Sequence, residues 1–138
     1  MTQPIAKDLN HVGLVVPDVD KCCAFLEAIF GIKCSEPKNL CGHLKIRFAI
    51  LKNAELEIIE PLIEDCDHAR WLKDHPKGGI HHICFHTENL KASTEALEKA
   101  GVRPLDPRPL ELLDGNAVQF FNPDDCFGIL TELAEGGD

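Results

Sequence analysis

The sequence predicts an α+β fold built from two copies of one unit, each running strand, turn, amphipathic helix and further strands. Three observations carry that expectation. The stretch Gly78-Gly79-Ile80-His81-His82-Ile83-Cys84-Phe85-His86 is an apolar run rich in β-branched and aromatic residues, released at its start by two glycines, and reads as a strand. Side chains alternate along a strand, so His82, Cys84 and His86 share one face and Ile83 and Phe85 the other. The stretch also recurs: laying His11 on His82 sets Val12 on Ile83, Leu14 on Phe85, Val19 on Leu90 and Leu26 on Leu97. The punctuation repeats too, with Asp18 matching Asn89 and, after a one-residue gap, Gly31-Ile32 matching Gly101-Val102.

In chain order, residues 10–16 form the first strand, with His11, Gly13 and Val15 on one face. Asp18 is placed to cap a helix over 19–30 whose apolar stripe is Val19, Cys22, Cys23, Leu26 and Phe30, and Gly31 stops it. Residues 32–35 read as a short strand and 36–42 as a polar loop. Residues 45–51 alternate, Ile46, Phe48 and Ile50 against Lys45, Arg47 and Ala49, and Lys52-Asn53 turns the chain into a strand over 54–60. There Leu56 and Ile58 oppose Glu55, Glu57 and Ile59, Pro61 closes the strand, and 66–74 forms a linking helix. The second half repeats the plan: a strand over 80–87, a helix over 90–100 capped by Asn89, a short strand over 102–105, a wide loop over 106–115 suited to a site rim, and strands over 116–121 and 128–134. Gly136-Gly137-Asp138 reads as a frayed tail. The expected domain is therefore a single unit over 1–138, with modules at about 8–62 and 79–135 joined by a linker helix near 63–78.

Composition narrows the function. The chain of 138 residues is long enough for a sizeable core. No apolar run approaches the length of a membrane span, and Met1 to Asn10 shows no signal-peptide pattern. A net charge of −9 argues against nucleic acid or an anionic membrane as partner. Seven cysteines, an odd number without a CxxC pair, read as reduced thiols of a cytoplasmic protein.

The two repeats each place a histidine at the start of the first strand and a glutamate in the last: His11 with Glu57, and His82 with Glu132. A carboxylate inside an apolar strand is costly unless paired, protonated or bound to a metal. If two curved half-sheets face one another, two imidazoles and two carboxylates converge, a donor set that suits one divalent ion such as Co, Ni, Zn or Mn. The competing reading of Glu57 is an exposed glutamate on an edge strand.

At these residues the chain resembles the vicinal oxygen chelate (glyoxalase/bleomycin resistance/dioxygenase) superfamily, from His11 to Leu133. Within it the chain is most similar to the methylmalonyl-CoA epimerase group, through His11-Val-Gly-Leu-Val-Val-Pro-Asp, Glu57-Ile-Ile-Glu-Pro-Leu, Gly79-Ile-His-His-Ile and Gly128-Ile-Leu-Thr-Glu-Leu. The resemblance implies paired βαβββ modules in a cupped, mostly antiparallel sheet with helices outside, one metal held by His11, Glu57, His82 and Glu132, and a homodimer. The chain departs from the epimerase pattern after Leu62 and around Leu110 to Gly115. It also carries Lys45 on the strand where some epimerases have an extra catalytic glutamate.

Three function classes follow. The first is a metal-dependent epimerase of a methylmalonyl-CoA-like thioester. The second is a lyase of the glyoxalase I type, isomerising a glutathione-like hemithioacetal, and the third is a non-catalytic small-molecule binder. Both reactions remove a proton next to a carbonyl, for which Glu132 and Glu57 are the candidate bases. If strand parity holds, Lys45, Arg47, Ala49, Gln119 and Phe121 line the cup, with Lys45 and Arg47 holding a carboxylate or phosphate; the alternative is a solvated charged face. Lys77, Arg103 and Arg108 are the candidate basic rim for a coenzyme A adduct. His86 is either a partner of the metal-binding side chains or a surface histidine, and His81 faces away from the site.

Overall fold

The computed structural model describes residues 5–111 and 116–135. The elements are β1 (Asp8–Val15), α1 (Val19–Phe30), β2 (Lys38–Leu40), β3 (Leu44–Ile50), β4 (Glu55–Pro61), α2 (Asp67–Asp74), β5 (Gly79–Thr87), α3 (Leu90–Lys99), β6 (Leu110–Glu111), β7 (Ala117–Phe121) and β8 (Thr131–Glu135). The chain divides into two compact units, His11–His81 and a discontinuous one formed by Met1–Asn10 with His82–Asp138. Each repeats the same strand pattern around a capped helix, as the duplication in the sequence predicts.

In the first unit the strand order is β2-β3-β4-β1, with β1 parallel to β4 and the other pairings antiparallel. Asp18 caps α1, accepting from the Lys21 amide at 3.0 Å, and Gly31 ends it in the left-handed region at φ 69°. The buried side of α1, Val19 and Cys23, packs on Ala49 and Ile58, so these strand positions define the helix face. Burial pushes the Cys23 thiol up to about 12, with Cys34 beside it adding to the shift, and pushes the Cys22 thiol up as well. The opposite face carries Val15, Leu44, Ile46 and Ile59, and α2 covers part of it through Trp71 and Leu72. α1 thus lies outside, whereas α2 packs on the other side of the sheet. Gly78 turns the chain from α2 into β5 at φ 86°, where an added Cβ would stand 2.7 Å from the Val15 carbonyl oxygen.

The second unit has the order β5-β8-β7-β6, again with one parallel pairing, β5 with β8. Asn89 caps α3, accepting from the Ala92 amide at 3.0 Å. Leu90 of α3 packs with Phe121 and Leu133, and Leu97 and Phe85 close around them. Burying a side chain the size of Phe121 completely stabilises by roughly 1.5–3 kcal/mol. The N-terminal arm belongs to this unit: the Lys7 amide donates to the His86 carbonyl at 2.8 Å, and Ile5 packs beside Leu90 and Phe121.

Four expectations need correction. Residues 32–35 form only an isolated bridge, Cys34 with Ala49, and the strand lies instead at Lys38–Leu40, inside the expected polar loop. Residues 102–105 likewise give one bridge, Pro104 with Phe121. The last strand begins at Thr131 rather than at residue 128, because Phe127 and Gly128 have positive φ and continue the turn. Within the expected loop over 106–115, Leu110–Glu111 form β6 and residues 112–115 fall outside the described set, as does the expected frayed tail at 136–138.

Candidate functional site

Each unit presents one histidine–glutamate pair on the sheet face opposite its α1 or α3 contacts. In the first, Gly13 pairs in register with Glu57, so Glu57 shares the face of His11 and Val15 rather than that of Ile58. His11 Nε2 lies 3.4 Å from Glu57 Oε1. In the second, Cys84 pairs in register with Glu132, and His82 Nε2 lies 3.2 Å from Glu132 Oε1. The second pair is the more enclosed: its side chains are 2% and 7% exposed, against 11% and 19% for His11 and Glu57.

These glutamates sit in strands without being buried charges in oil, because each meets an imidazole. Phe48 lies directly across from Glu57, and Phe120 across from Glu132. The Phe120 ring meets His82 edge-to-face at 5.5 Å. The sequence reading missed both phenylalanines. The usable signal was their cross-strand register opposite the two carboxylates.

The same register corrects the expected lining. Arg47 pairs with Ile58 and Lys45 with Glu60, which puts both cations on the α1 face. There Lys45 Nζ reaches Asp20 Oδ2 at 2.6 Å and Arg47 Nη1 reaches Asp20 Oδ1 at 3.1 Å. Lys45 and then Arg47 hold the Asp20 carboxyl below the usual carboxylate range. Gln119 and Phe121 pair with Leu133 and Thr131, on the α3 face; Gln119 Nε2 donates to the Asp106 carbonyl and Phe121 is fully buried. The alternation holds, but the docking of α1 and α3 makes the side of Lys45, Arg47, Gln119 and Phe121 the helix face, and Asp20 of α1 pairs the two cations there. Facing the Glu57 side, β3 instead presents Leu44, Ile46, Phe48 and Ile50, none of them an acid or a base. The cation on this side is Lys38, whose Nζ stands 5.7 Å from the centre of the Phe48 ring.

Three of the remaining candidates, Arg103, His86 and His81, engage neighbours. Arg103 is forked onto Asp125 at 2.8 and 3.2 Å. His86 Nδ1 lies 3.5 Å from Asp8 Oδ1. His81 alternates with His82 along β5, and its ring stacks on His68 at 4.9 Å and meets Trp71 edge-on. Glu60 and Glu135, three residues beyond Glu57 and Glu132, face the helices instead: they accept from the Val19 and Leu90 amides at 2.9 and 2.6 Å.

Known proteins share this arrangement of elements. Residues 10–120 match the family model of the Glyoxalase/Bleomycin resistance protein/Dioxygenase superfamily. The chain is 37% identical over 128 residues to the mitochondrial methylmalonyl-CoA epimerase of Homo sapiens, covering 92% of this chain and 73% of that protein. It is 35% identical to an ethylmalonyl-CoA/methylmalonyl-CoA epimerase of Cereibacter sphaeroides, covering 92% and 96%. Among solved structures, a single-residue variant of Streptomyces coelicolor methylmalonyl-CoA epimerase in complex with 2-nitronate-propionyl-CoA superposes with a TM-score of 0.86 at 26% identity, over 96% of each chain.

Proposed function

The chain belongs to the Glyoxalase/Bleomycin resistance protein/Dioxygenase superfamily, and from that premise we propose that it is an epimerase of a methylmalonyl-CoA-like thioester. The observation that carries the reading is the matched histidine–glutamate pair in each unit, in a chain so similar to named epimerases. We take residues 1–138 as one vicinal-oxygen-chelate domain in which His11, Glu57, His82 and Glu132 hold a single divalent ion. The fit rests on the donor chemistry: imidazole nitrogens and carboxylate oxygens already in contact suit Co, Ni, Zn or Mn. When bound, such an ion supplies Lewis-acid stabilisation of negative charge developing on a substrate oxygen.

The chain's own residues supply the rest. Glu132 takes the proton from the carbon between carboxylate and thioester, and the C–H electrons pass into the carbonyl to give the enolate. Glu57, protonated from solvent, gives its proton to the opposite face and Glu132 releases the one it took to solvent, so the centre inverts with no net gain or loss of atoms. Phe48 and Phe120 stand across from the two carboxylates and form an apolar flank beside them on the same strand face. Lys38 is the candidate contact for a substrate carboxylate or phosphate. The seven cysteines, none of them in a disulfide, fit a reducing, cytoplasmic setting, and no described helix is long and apolar enough to cross a membrane. Phe25, Ile29 and Phe30 of α1 expose more than half their surface, an apolar strip suited to a homodimer contact.

The test is to incubate the metal-loaded protein with one epimer of methylmalonyl-CoA in deuterated water. Expected is deuterium at the α-carbon together with formation of the other epimer. Isomerisation of a glutathione hemithioacetal without exchange into methylmalonyl-CoA would overturn the assignment in favour of a glyoxalase-type lyase.

A further inference from the structure

Beside Glu57 the first unit brings together three side chains of unlike chemistry on one sheet face. Phe48 lies directly across from Glu57, and Ile46, two residues earlier on the same strand, pairs with Lys38 of β2. Cross-strand partners share a face, so a carboxylate, a ring and an ammonium group stand side by side. Lys38 Nζ is 5.7 Å from the centre of the Phe48 ring, and among the described residues no carboxylate forms an ion pair with it. Phe48 itself is held in place. Its amide donates to Ser35 Oγ at 2.9 Å, and its carbonyl accepts from the Ser35 amide at 2.7 Å. The side chain packs against the cluster of Val15, Leu44, Ile46 and Ile59 while staying partly exposed. In the second unit the matching ring, Phe120, is turned edge-to-face onto His82 instead.

The α-carbon of an alkylmalonyl thioester carries a hydrogen, an alkyl group, a carboxylate and the thioester carbonyl. Glu57 serves the proton, and two of the other three groups find their complements next to it. The ring suits the alkyl group and the ammonium suits the carboxylate. The phosphates of coenzyme A lie a whole pantetheine arm from this carbon, so an ammonium so near the base meets the carboxylate. We propose that Phe48 and Lys38 choose the substrate of this site: Phe48 limits the alkyl group to a methyl, and Lys38 binds the free carboxylate beside it. Because Ser35 fixes the backbone of Phe48 at both its amide and its carbonyl, the ring cannot give way to a longer chain. One extra methylene against such a wall is worth about 10- to 200-fold in discrimination. This inference rests on the epimerase reading above.

The experiment measures deuterium incorporation at the α-carbon of methylmalonyl-CoA and of ethylmalonyl-CoA by the metal-loaded full chain. Expected is a preference for methylmalonyl-CoA of about 10-fold or more in kcat/KM. Phe48→Leu and Phe48→Ala should remove most of that preference. Both substrates meet the same folded protein, so partial misfolding cancels in the ratio. Lys38→Met should raise KM for both substrates by about 10-fold with the ratio unchanged, and Lys38→Arg should recover most of the loss. A wild type that takes both substrates equally, or a ratio unmoved in the Phe48 variants, overturns the role of Phe48. A KM unmoved in Lys38→Met overturns that of Lys38. These outcomes leave the epimerase reading standing, whereas a wild type that exchanges neither substrate overturns both. Should the Phe48 variants not fold at all, the wild type decides with propylmalonyl-CoA added to the series: a stepwise fall from methyl to propyl supports the size limit, and a flat profile overturns it.

Discussion

The two repeats answer the same structural problem with different degrees of enclosure. In the first, His11 and Glu57 retain some contact with solvent, Gly13 stands opposite the glutamate, and α2 covers the neighbouring surface. In the second, His82 and Glu132 are nearly sealed, Cys84 stands opposite the glutamate, and the Phe120 ring closes on the histidine. A duplicated scaffold thus keeps the positions of its histidine and glutamate while letting their surroundings drift apart. An enclosed carboxylate is held more firmly and is less well solvated, so on the proposed reading the second pair is the better proton carrier and the tighter metal half-site.

That asymmetry is most exposed to test by paired substitutions at the glutamates. Glu132→Gln is expected to slow α-proton exchange by about 10²- to 10⁴-fold, and Glu57→Gln by clearly less, both read as deuterium incorporation at saturating metal. Equal losses would mean that both carboxylates serve the carbon symmetrically. The histidines give the next largest effect. His82→Ala should weaken metal retention by roughly 10- to 100-fold or more in elemental analysis after dialysis, and His11→Ala should weaken it less. Full retention in the His82 variant would remove it from the ligand set.

Smaller effects probe the scaffold. Gly78→Ala must fit a Cβ 2.7 Å from a carbonyl oxygen at φ 86°, and is expected to cost about 2–4 kcal/mol in urea unfolding. Gly101→Ala, at φ 90° but in open space, should cost only about 1 kcal/mol. The helix-capping glutamates come next: Glu135→Gln and Glu60→Gln should each lose roughly 0.5–2 kcal/mol by thermal melting, with the 2.6 Å contact of Glu135 losing more than the 2.9 Å contact of Glu60. Smallest is the Asp20 cluster. Because Lys45 and Arg47 lower its folded-state pKa, Asp20 stabilises the fold above its ordinary value of 3.8, and the gain fades as pH falls through the lowered pKa. The melting-temperature gap between wild type and Asp20→Asn should therefore shrink on acidification, while Lys45→Ala should leave kcat/KM within about twofold.

Much of this is legible in the amino-acid sequence. Caps are local chemistry, so Asp18, Gly31 and Asn89 can be recognised from their place beside an apolar stripe. The two histidine–glutamate pairs are legible because the repeat supplies an internal control: one strand glutamate says little, and a second at the matched place singles out both. What stays hidden depends on tertiary partners. Alternation divides Lys45, Arg47, Gln119 and Phe121 from their neighbours, but only the docking of α1 and α3 decides which side is outward. The position of β2 depends on its pairing with β3, which no feature of Lys38-Asn39-Leu40 announces.

The N-terminal arm has a consequence for how the molecule comes to be. The unit His11–His81 is continuous, whereas the other takes Ile5 and Lys7 from one end of the chain and everything from His82 onward from the other. During synthesis the continuous unit can close as soon as it emerges, by contacts of modest sequence separation. The arm is made first and used last. Until β5 arrives, the Lys7 amide lacks its His86 acceptor and Ile5 lacks the core it packs into, so this arm docks only after the chain has been made through β5.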